Sequence, residues 1–212
     1  MRRSVTAQPS RRPLVLATGN PGKVRELREL LADIPFEIRT LADYPPFAMP
    51  EETGETYESN ALIKARATCA HTGALALGDD SGIEIDALAG APGVRSARFG
   101  GPGLDDVGRV ERLLAMLDGV PDERRTARFR CVIALVGPDG REMLVHGVCK
   151  GVIAHTPRGA GGFGYDPVFF YPPWGVTFGE VSDARKATVS HRGLAAAAAR
   201  SALRLMTPAP GP

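Results

Sequence analysis

The chain has 212 residues, 43% of them hydrophobic, and a formal net charge of +2. That length and composition suit one large α/β domain or two small lobes around a full core. The near-neutral balance argues against a broad nucleic-acid surface, which needs a basic excess, and the lack of any run of eighteen apolar residues argues against a helical membrane span.

Met1 to Pro13 carries four arginines and no apolar stretch of the secretory kind. It is expected to be a disordered lead-in to a single domain over 14–206, with a Pro/Gly tail over 207–212 expected to be disordered as well. Leu14 to Ala17 is a short apolar run. It leads into Thr18-Gly19-Asn20-Pro21-Gly22-Lys23, and then into a helix whose Val24, Leu27, Leu30 and Leu31 share a face, ending near Asp33. Phe36 to Thr40 reads as a strand. Pro45, Pro46 and Pro50 break the chain before Glu51-Glu52-Thr53-Gly54. A second helix is predicted from Thr56 to His71, with Ala61, Ala65 and Cys69 on a narrow face suited to close packing.

Leu75 to Gly78 is predicted as a short buried strand with Asp79-Asp80-Ser81-Gly82 at its end and Ile83 to Ile85 continuing extended. Gly90 to Gly103 is glycine-rich and loop-like. Asp105 to Leu117 is amphipathic. Thr126 to Val136 and Arg141 to Val152 form a predicted hairpin about Pro138-Asp139-Gly140. Gly159 to Asp166 is a second glycine loop, followed by a short strand at Val168 to Phe170. A last helix runs from Ser190 to Met206. Parallel-type units followed by an antiparallel hairpin predict an α/β fold with a mixed sheet flanked by helices. Cys69, Cys131 and Cys149 fit neither a disulfide framework nor a zinc site, and read as buried small residues in a reducing cytosol.

Strand, glycine turn, lysine and helix is an arrangement that binds phosphate, because glycines admit an anion to the backbone and the helix start offers N–H groups. It is not a Walker A loop, since Val24 stands where a magnesium-binding hydroxyl would follow the lysine. Asp79 and Asp80 are adjacent carboxylates that point in different directions, so one is expected to face the cleft. Magnesium takes one or two carboxylates plus substrate phosphates, and Glu51-Glu52 supplies a second acidic pair. Asn60 and Lys64 share a helix face. His191 and Arg192 fall in the first turn of a helix capped by Ser190, where positive charge costs a few tenths of a kcal/mol unless something electron-rich offsets it. Gly161 to Asp166 interleaves glycines with Phe163 and Tyr165. Its functional reading is a base-stacking platform, and its structural reading is a bulge with core aromatics.

These motifs occur in one order: Thr18-Gly19-Asn20-x-x-Lys23, Glu52-Thr53-Gly54-x-Thr56, Asn60-Ala61-x-x-Lys64-Ala65, Asp79-Asp80-Ser81-Gly82, Gly90-x-Pro92-Gly93-Val94-x-Ser96-Ala97-Arg98, Gly161-Gly162-Phe163-Gly164-Tyr165-Asp166 and Lys186-x-x-x-Ser190-His191-Arg192. Together they resemble the HAM1/RdgB family of inosine/xanthosine triphosphate pyrophosphatases, over roughly Leu14 to Met206. The resemblance implies a long mixed sheet flanked by helices in two lobes, with the active site in the cleft between them. It implies a magnesium-dependent homodimer that hydrolyses ITP, dITP and XTP to the monophosphate and pyrophosphate; the cysteines point to the cytoplasm, and the charge and the lack of a long apolar run leave no nucleic-acid or membrane partner expected.

Carried over by position, Thr18, Gly19, Asn20, Pro21, Gly22 and Lys23 hold the triphosphate. Asp80 is proton acceptor and metal ligand, and Glu51 or Glu52 completes the metal site, with Glu52 the better match by spacing. Lys64 aids phosphate binding, and Ser81 lies beside the substrate. Phe163, Gly164, Tyr165, Asp166, Lys186, His191 and Arg192 form the nucleoside pocket. Tyr57, Ser59 and Gly78 depart from the usual Phe, Glu and Ala. A Maf-like pyrophosphatase, a silent nucleotide-binding protein and a nucleic-acid module are the competing readings. The Ser190-His191-Arg192 end, the intact acidic pairs and the near-neutral charge speak against them in turn.

Overall fold

The computed structural model describes residues 11–206, so the readings for residues 1–10 and 207–212 lie outside the described residues. Seven strands form one sheet in the order β2-β1-β3-β4-β5-β6-β7. Here β1 is Arg12–Leu16, β2 Phe36–Thr40, β3 Leu75–Ile85, β4 Thr126–Val136, β5 Glu142–Ile153, β6 Phe169–Tyr171 and β7 Val176–Thr177. β1 pairs in parallel with β2 and β3, and every later pairing is antiparallel. The parallel part comes from helices inserted between strands, α1 (Pro21–Leu30) and α2 (Tyr57–Thr72). The antiparallel part comes from the hairpin about Gly140, whose φ of +82° suits glycine. The mixed sheet matches expectation.

β1 takes in Arg12 and Pro13, which the sequence had assigned to the lead-in. Both pair with β2, while the ladder to β3 starts only at Leu14, so Pro13 is not flanked by strands on both sides. Alternation along the strands sorts the core onto two faces. Leu75, Leu77, Ile133 and Leu135 pack beneath α1 and α5 (His191–Leu205), with Leu27, Leu31, Ala195 and Ala199. Ala76, Val132 and Ala134 meet α2 through Ala61, Ala65 and Cys69, the small-residue face expected from sequence. Gly78 is needed at this contact. A Cβ there would collide with the Ala61 carbonyl and lie 3.0 Å from the Ala65 nitrogen, so α2 rests directly on the strand. A third cluster, with Ile83, Phe129, Phe169 and Phe178, lies under α3 (Asp106–Met116) toward the far end of the sheet.

One element differs in kind from expectation. The acidic pair does not end a strand: β3 runs unbroken for 11 residues through it. β1 is the strand that ends, its ladder with β3 reaching only Leu77, so Asp79 is the first position past the last parallel pair on its face. The short β7 and α4 (Asp183–Ala187) were not foreseen. α4 has only 5 residues, started by the Ser182 side chain accepting the Arg185 N–H, too few for an apolar period to register.

Candidate active site

Period-two alternation divides the acidic pair between the two faces of the sheet. Asp79 follows Leu75 and Leu77 toward α1 and α5, and Asp80 follows Ala76 and Gly78 toward α2. On the α2 side, Lys64 Nζ donates to Asp80 Oδ1 at 3.1 Å and to Glu52 Oε1 at 2.7 Å, while Asn60 Nδ2 donates to Asp80 Oδ2 at 3.3 Å. Lys64 and Asn60 reach one carboxylate because they lie four apart on α2, which Thr56 starts by accepting the Ser59 N–H. Burial pushes the Asp80 carboxyl above its ordinary range despite Lys64 and Lys23. Burial also pushes Glu52 upward, but there Lys64, Lys23 and Arg98 outweigh it and hold it below.

On the opposite side, Asp79 is fully buried between Lys23 and Arg192. Lys23 Nζ forms an ion pair with it, Arg192 Nε donates to Oδ2 at 3.1 Å, and the Cys131 thiol donates to Oδ2 at 3.0 Å. Burial disfavours its charge, yet Arg192 and Lys23 hold it well below the usual carboxylate range. Burial and neighbouring charge thus push two adjacent aspartates in opposite directions, Asp79 toward its charged form and Asp80 toward its neutral form.

The ion pairs continue beyond Asp79. Arg192 Nη1 donates to Glu26 Oε2 at 2.5 Å, Glu26 Oε1 lies 2.6 Å from Lys186 Nζ, and Lys186 donates to Asp166 Oδ2 at 2.6 Å. Signs alternate along Lys23, Asp79, Arg192, Glu26, Lys186 and Asp166, which is how charges so deeply buried are tolerated. Burial weakens the Lys186 charge, but Asp166 and Glu26 reverse that and raise its pKa. The compensation expected for cations at the start of α5 therefore comes from Glu26 and Asp79. His191 needs none: burial first, and Arg192 next, push it well below its ordinary value, and the neutral ring stacks on Phe129 at 4.5 Å.

A cleft of about 250 Å³ runs along these groups. Asn20, Lys23, Glu52, Asp80, Ser81, Phe163, Gly164, Tyr165, Asp166, Lys186, His191 and Arg192 all border it, so most of the sequence-chosen residues come together. Phe163 lies over Lys186 and Arg192, 5.2 and 5.5 Å from ring centre to cation. Tyr165 proves to be a core residue, buried in the cluster under α3 with its hydroxyl donating to the Ser96 carbonyl at 2.9 Å. Of the loop's two aromatics, only Phe163 has the exposure a stacking surface needs. Asp166 Oδ2 accepts the Phe163 N–H at 2.9 Å and fixes the loop from within.

The first glycine loop has two sides. Thr18, Gly19 and Pro21 border a separate depression with Arg25 and Arg28, outside the cleft. Asn20 Oδ1 accepts the Lys23 N–H at 3.0 Å, so one of the N–H groups expected to meet an anion is already capped. Gly22 packs beneath Phe163, where a Cβ would come within 2.8 Å of the ring. That glycine serves an aromatic contact between the two loops. Glu51 is exposed and does not border the cleft, unlike Glu52.

Three residues at the site, Glu26, Asp106 and Arg109, escaped the sequence reading, and Asn60 was placed on the Lys64 face without a role. Glu26 sits one helical turn after Lys23, where it resembles a solvated charge. Asn60 also accepts the Gly54 N–H at 2.8 Å, tying the acidic loop to α2. Asp106 and Arg109 of α3 border the cleft, and Asp106 accepts the Gly164 N–H at 2.8 Å. The usable signal was arithmetic: a buried arginine beside alanines must find carboxylates, and Glu26 lies next to the core residue Leu27 on a neighbouring helix.

Glu52 and Asp80 converge on one Lys64 nitrogen and present hard oxygens to the cleft. No group of three or more His, Cys, Asp or Glu side chains suited to a metal occurs among the described residues. Two carboxylates without further protein ligands fit a cation that completes its shell with water and phosphate oxygens, as magnesium does.

A seven-stranded mixed sheet with an acidic cleft walled by cations and an aromatic loop defines a class of phosphate-handling α/β proteins. The chain belongs to the Ham1 family, which matches it over residues 14–202. It is 51% identical over 182 residues to the dITP/XTP pyrophosphatase of Desulforamulus reducens, covering 86% of this chain and 90% of that one. It is 49% identical over 184 residues to the dITP/XTP pyrophosphatase of Geobacter sulfurreducens, covering 87% and 92%. The solved structure of a HAM1 protein from Coxiella burnetii superposes with a TM-score of 0.81 at 40% identity, over 91% of this chain and 98% of that one.

Proposed function

We propose that the protein hydrolyses non-standard purine nucleoside triphosphates (ITP, dITP and XTP) to the nucleoside monophosphate and pyrophosphate, clearing them from the nucleotide pool. The observation that carries the reading is the division of Asp79 from Asp80: one carboxylate organises cations, and its neighbour, raised by burial, faces the cleft as a base. Asp80 accepts a proton from water as the water oxygen bonds to the α-phosphorus. The bond from that phosphorus to the bridging oxygen breaks, and pyrophosphate leaves. Lys23, with Lys64 behind the acids, offsets the charge that develops. Of the first glycine loop, Asn20 and Lys23 border the cleft and receive the triphosphate tail.

Ham1 pyrophosphatases are generally metal-dependent. Magnesium is the ion proposed, held by Glu52 and Asp80; when bound it neutralises phosphate charge and lowers the pKa of water. Glu51, exposed, has no part in this assignment.

The purine stacks on Phe163. Arg192 gives its Nε to Asp79 and one hydrogen from each terminal nitrogen to Glu26 and Ser81, leaving the second hydrogens for an acceptor. An oxygen at position 6 satisfies those donors, whereas the adenine amine sets donor against donor. We assign the protein to the cytoplasm, where Cys69, Cys131 and Cys149 stay free thiols, and to a homodimer that light scattering would detect. The test of function is pyrophosphate release from ITP, XTP, dITP, GTP, ATP and dUTP with and without magnesium. Release from the first three that depends on magnesium supports the reading, and release from dUTP or ATP alone refutes it.

A further inference from the structure

The motif Gly93-Val94-Arg95-Ser96-Ala97-Arg98 has no task in the reaction as described, yet it touches three parts of the site. It forms a 3-10 helix, and its Val94, Ser96 and Ala97 border the cleft. Ser96 is buried: its Oγ accepts the Ile83 N–H at 2.9 Å, just past the acidic pair, and donates to the Gly93 carbonyl at 2.6 Å. Its own carbonyl accepts the Tyr165 hydroxyl at 2.9 Å, from the loop that carries Phe163. Two residues on, Arg98 Nη2 donates to the Glu52 carbonyl at 3.0 Å and lies 4.0 Å from Glu52 Oε2. A continuous path of hydrogen-bonded groups thus joins the aromatic loop to the acidic loop, independent of the Lys23–Asp79–Arg192 chain.

We propose that Gly93–Arg98 is a strut between these two loops and that Arg98 is a positioning residue, holding the Glu52 backbone so that its carboxylate stays beside Lys64 and Asp80. This rests on the assignment of Glu52 to the reaction centre. Arg98 is half exposed and buries no core surface, so its replacement leaves the fold intact. Without it, Glu52 keeps Lys64 as its ion-pair partner but loses the tie to its backbone, and the acidic loop samples other placements. Tyr165 is the other end of the strut: losing its hydroxyl frees the aromatic loop from Ser96 and leaves Glu52 in place.

The test uses Arg98→Ala, Arg98→Lys and Tyr165→Phe in the full chain, with binding of Mn²⁺ to the nucleotide-free enzyme read by electron paramagnetic resonance, alongside kcat and KM for ITP. Arg98→Ala should weaken Mn²⁺ binding and lower kcat by about tenfold each, the size expected when support behind a ligand is lost, with KM within about twofold. Arg98→Lys should restore much of both, since an ammonium can donate to the same carbonyl. Tyr165→Phe should leave Mn²⁺ binding unchanged and raise KM for ITP. Unaltered Mn²⁺ binding in Arg98→Ala, or a loss that lysine does not repair, overturns the proposal. Because the Mn²⁺ measurement needs no substrate, it stands apart from failure of the proposed activity, which would show as an inert wild-type enzyme.

Discussion

Asp79 and Asp80 are consecutive in the chain and opposed in environment: Asp79 is locked between Lys23 and Arg192, and Asp80 looks across α2 to Lys64 and Asn60. The same two replacements should therefore give opposite results. Asp80→Asn should cut kcat by roughly a hundredfold to ten-thousandfold, the usual worth of a general base, while ITP still binds by calorimetry. Its stability should hold, because burial already disfavours the Asp80 charge. Asp79→Asn should cost about 3–5 kcal/mol in urea unfolding by leaving Arg192 and Lys23 short of their anion.

Glu26 is the hinge of the buried charge chain, between Arg192 and Lys186. Burial raises its pKa, and Arg192 and Lys186 together reverse that and hold it low. Glu26→Ala should destabilise the fold by about 3 kcal/mol, since two buried cations each lose a partner. A change under about 0.5 kcal/mol in denaturant unfolding would mean the chain carries no such load.

How much of this was readable beforehand depended on the range of the signal. The hairpin was legible because alternation and Pro138-Asp139-Gly140 are local. So was α2, through Thr56 and its row of alanines. The roles of Arg192 were not, because its partners Asp79 and Glu26 lie 113 and 166 residues away in sequence. Local rules identified an awkward cation at a helix start but could not supply its anions. Likewise, the acidic pair looked like a strand terminus because Ser81 and a turn-type glycine, Gly82, follow it. In fact Gly78 is where α2 touches the sheet, and the strand continues. Tyr165 and Phe163 are alike in sequence, and only tertiary packing buries one in the core and leaves the other half-buried at the cleft.

Phe163 supplies the stacking surface in this account. Phe163→Ala should raise KM for ITP by about tenfold or more, in line with roughly 1–3 kcal/mol per stacked base, with kcat changing far less. Steady-state kinetics over a range of ITP concentrations separates the two. A fall in kcat at constant KM would assign Phe163 to the reacting end instead.

His191 gives the protein a pH-dependent stability of predictable sign. Its folded pKa is held well below the ordinary value by burial, so the unfolded chain binds the proton more readily. Its contribution is complete above the unfolded pKa of about 6.5 and is lost as pH falls below that toward the folded value. Between pH 7.5 and 5.5 this one group should remove about 1.4 kcal/mol, measured by urea unfolding. His191→Phe, which keeps the stack on Phe129, should flatten that part of the profile. An unchanged slope in the variant would remove His191 as its source.

The claim that water attacks the α-phosphorus of a purine triphosphate bearing an oxygen at position 6 is open to one direct measurement. ITP and ATP are each turned over in ¹⁸O-water, and the products are weighed by mass spectrometry. The account predicts label in IMP, none in pyrophosphate, and ATP turnover far below that of ITP. Label in pyrophosphate or orthophosphate, or equal turnover of the two nucleotides, would contradict it.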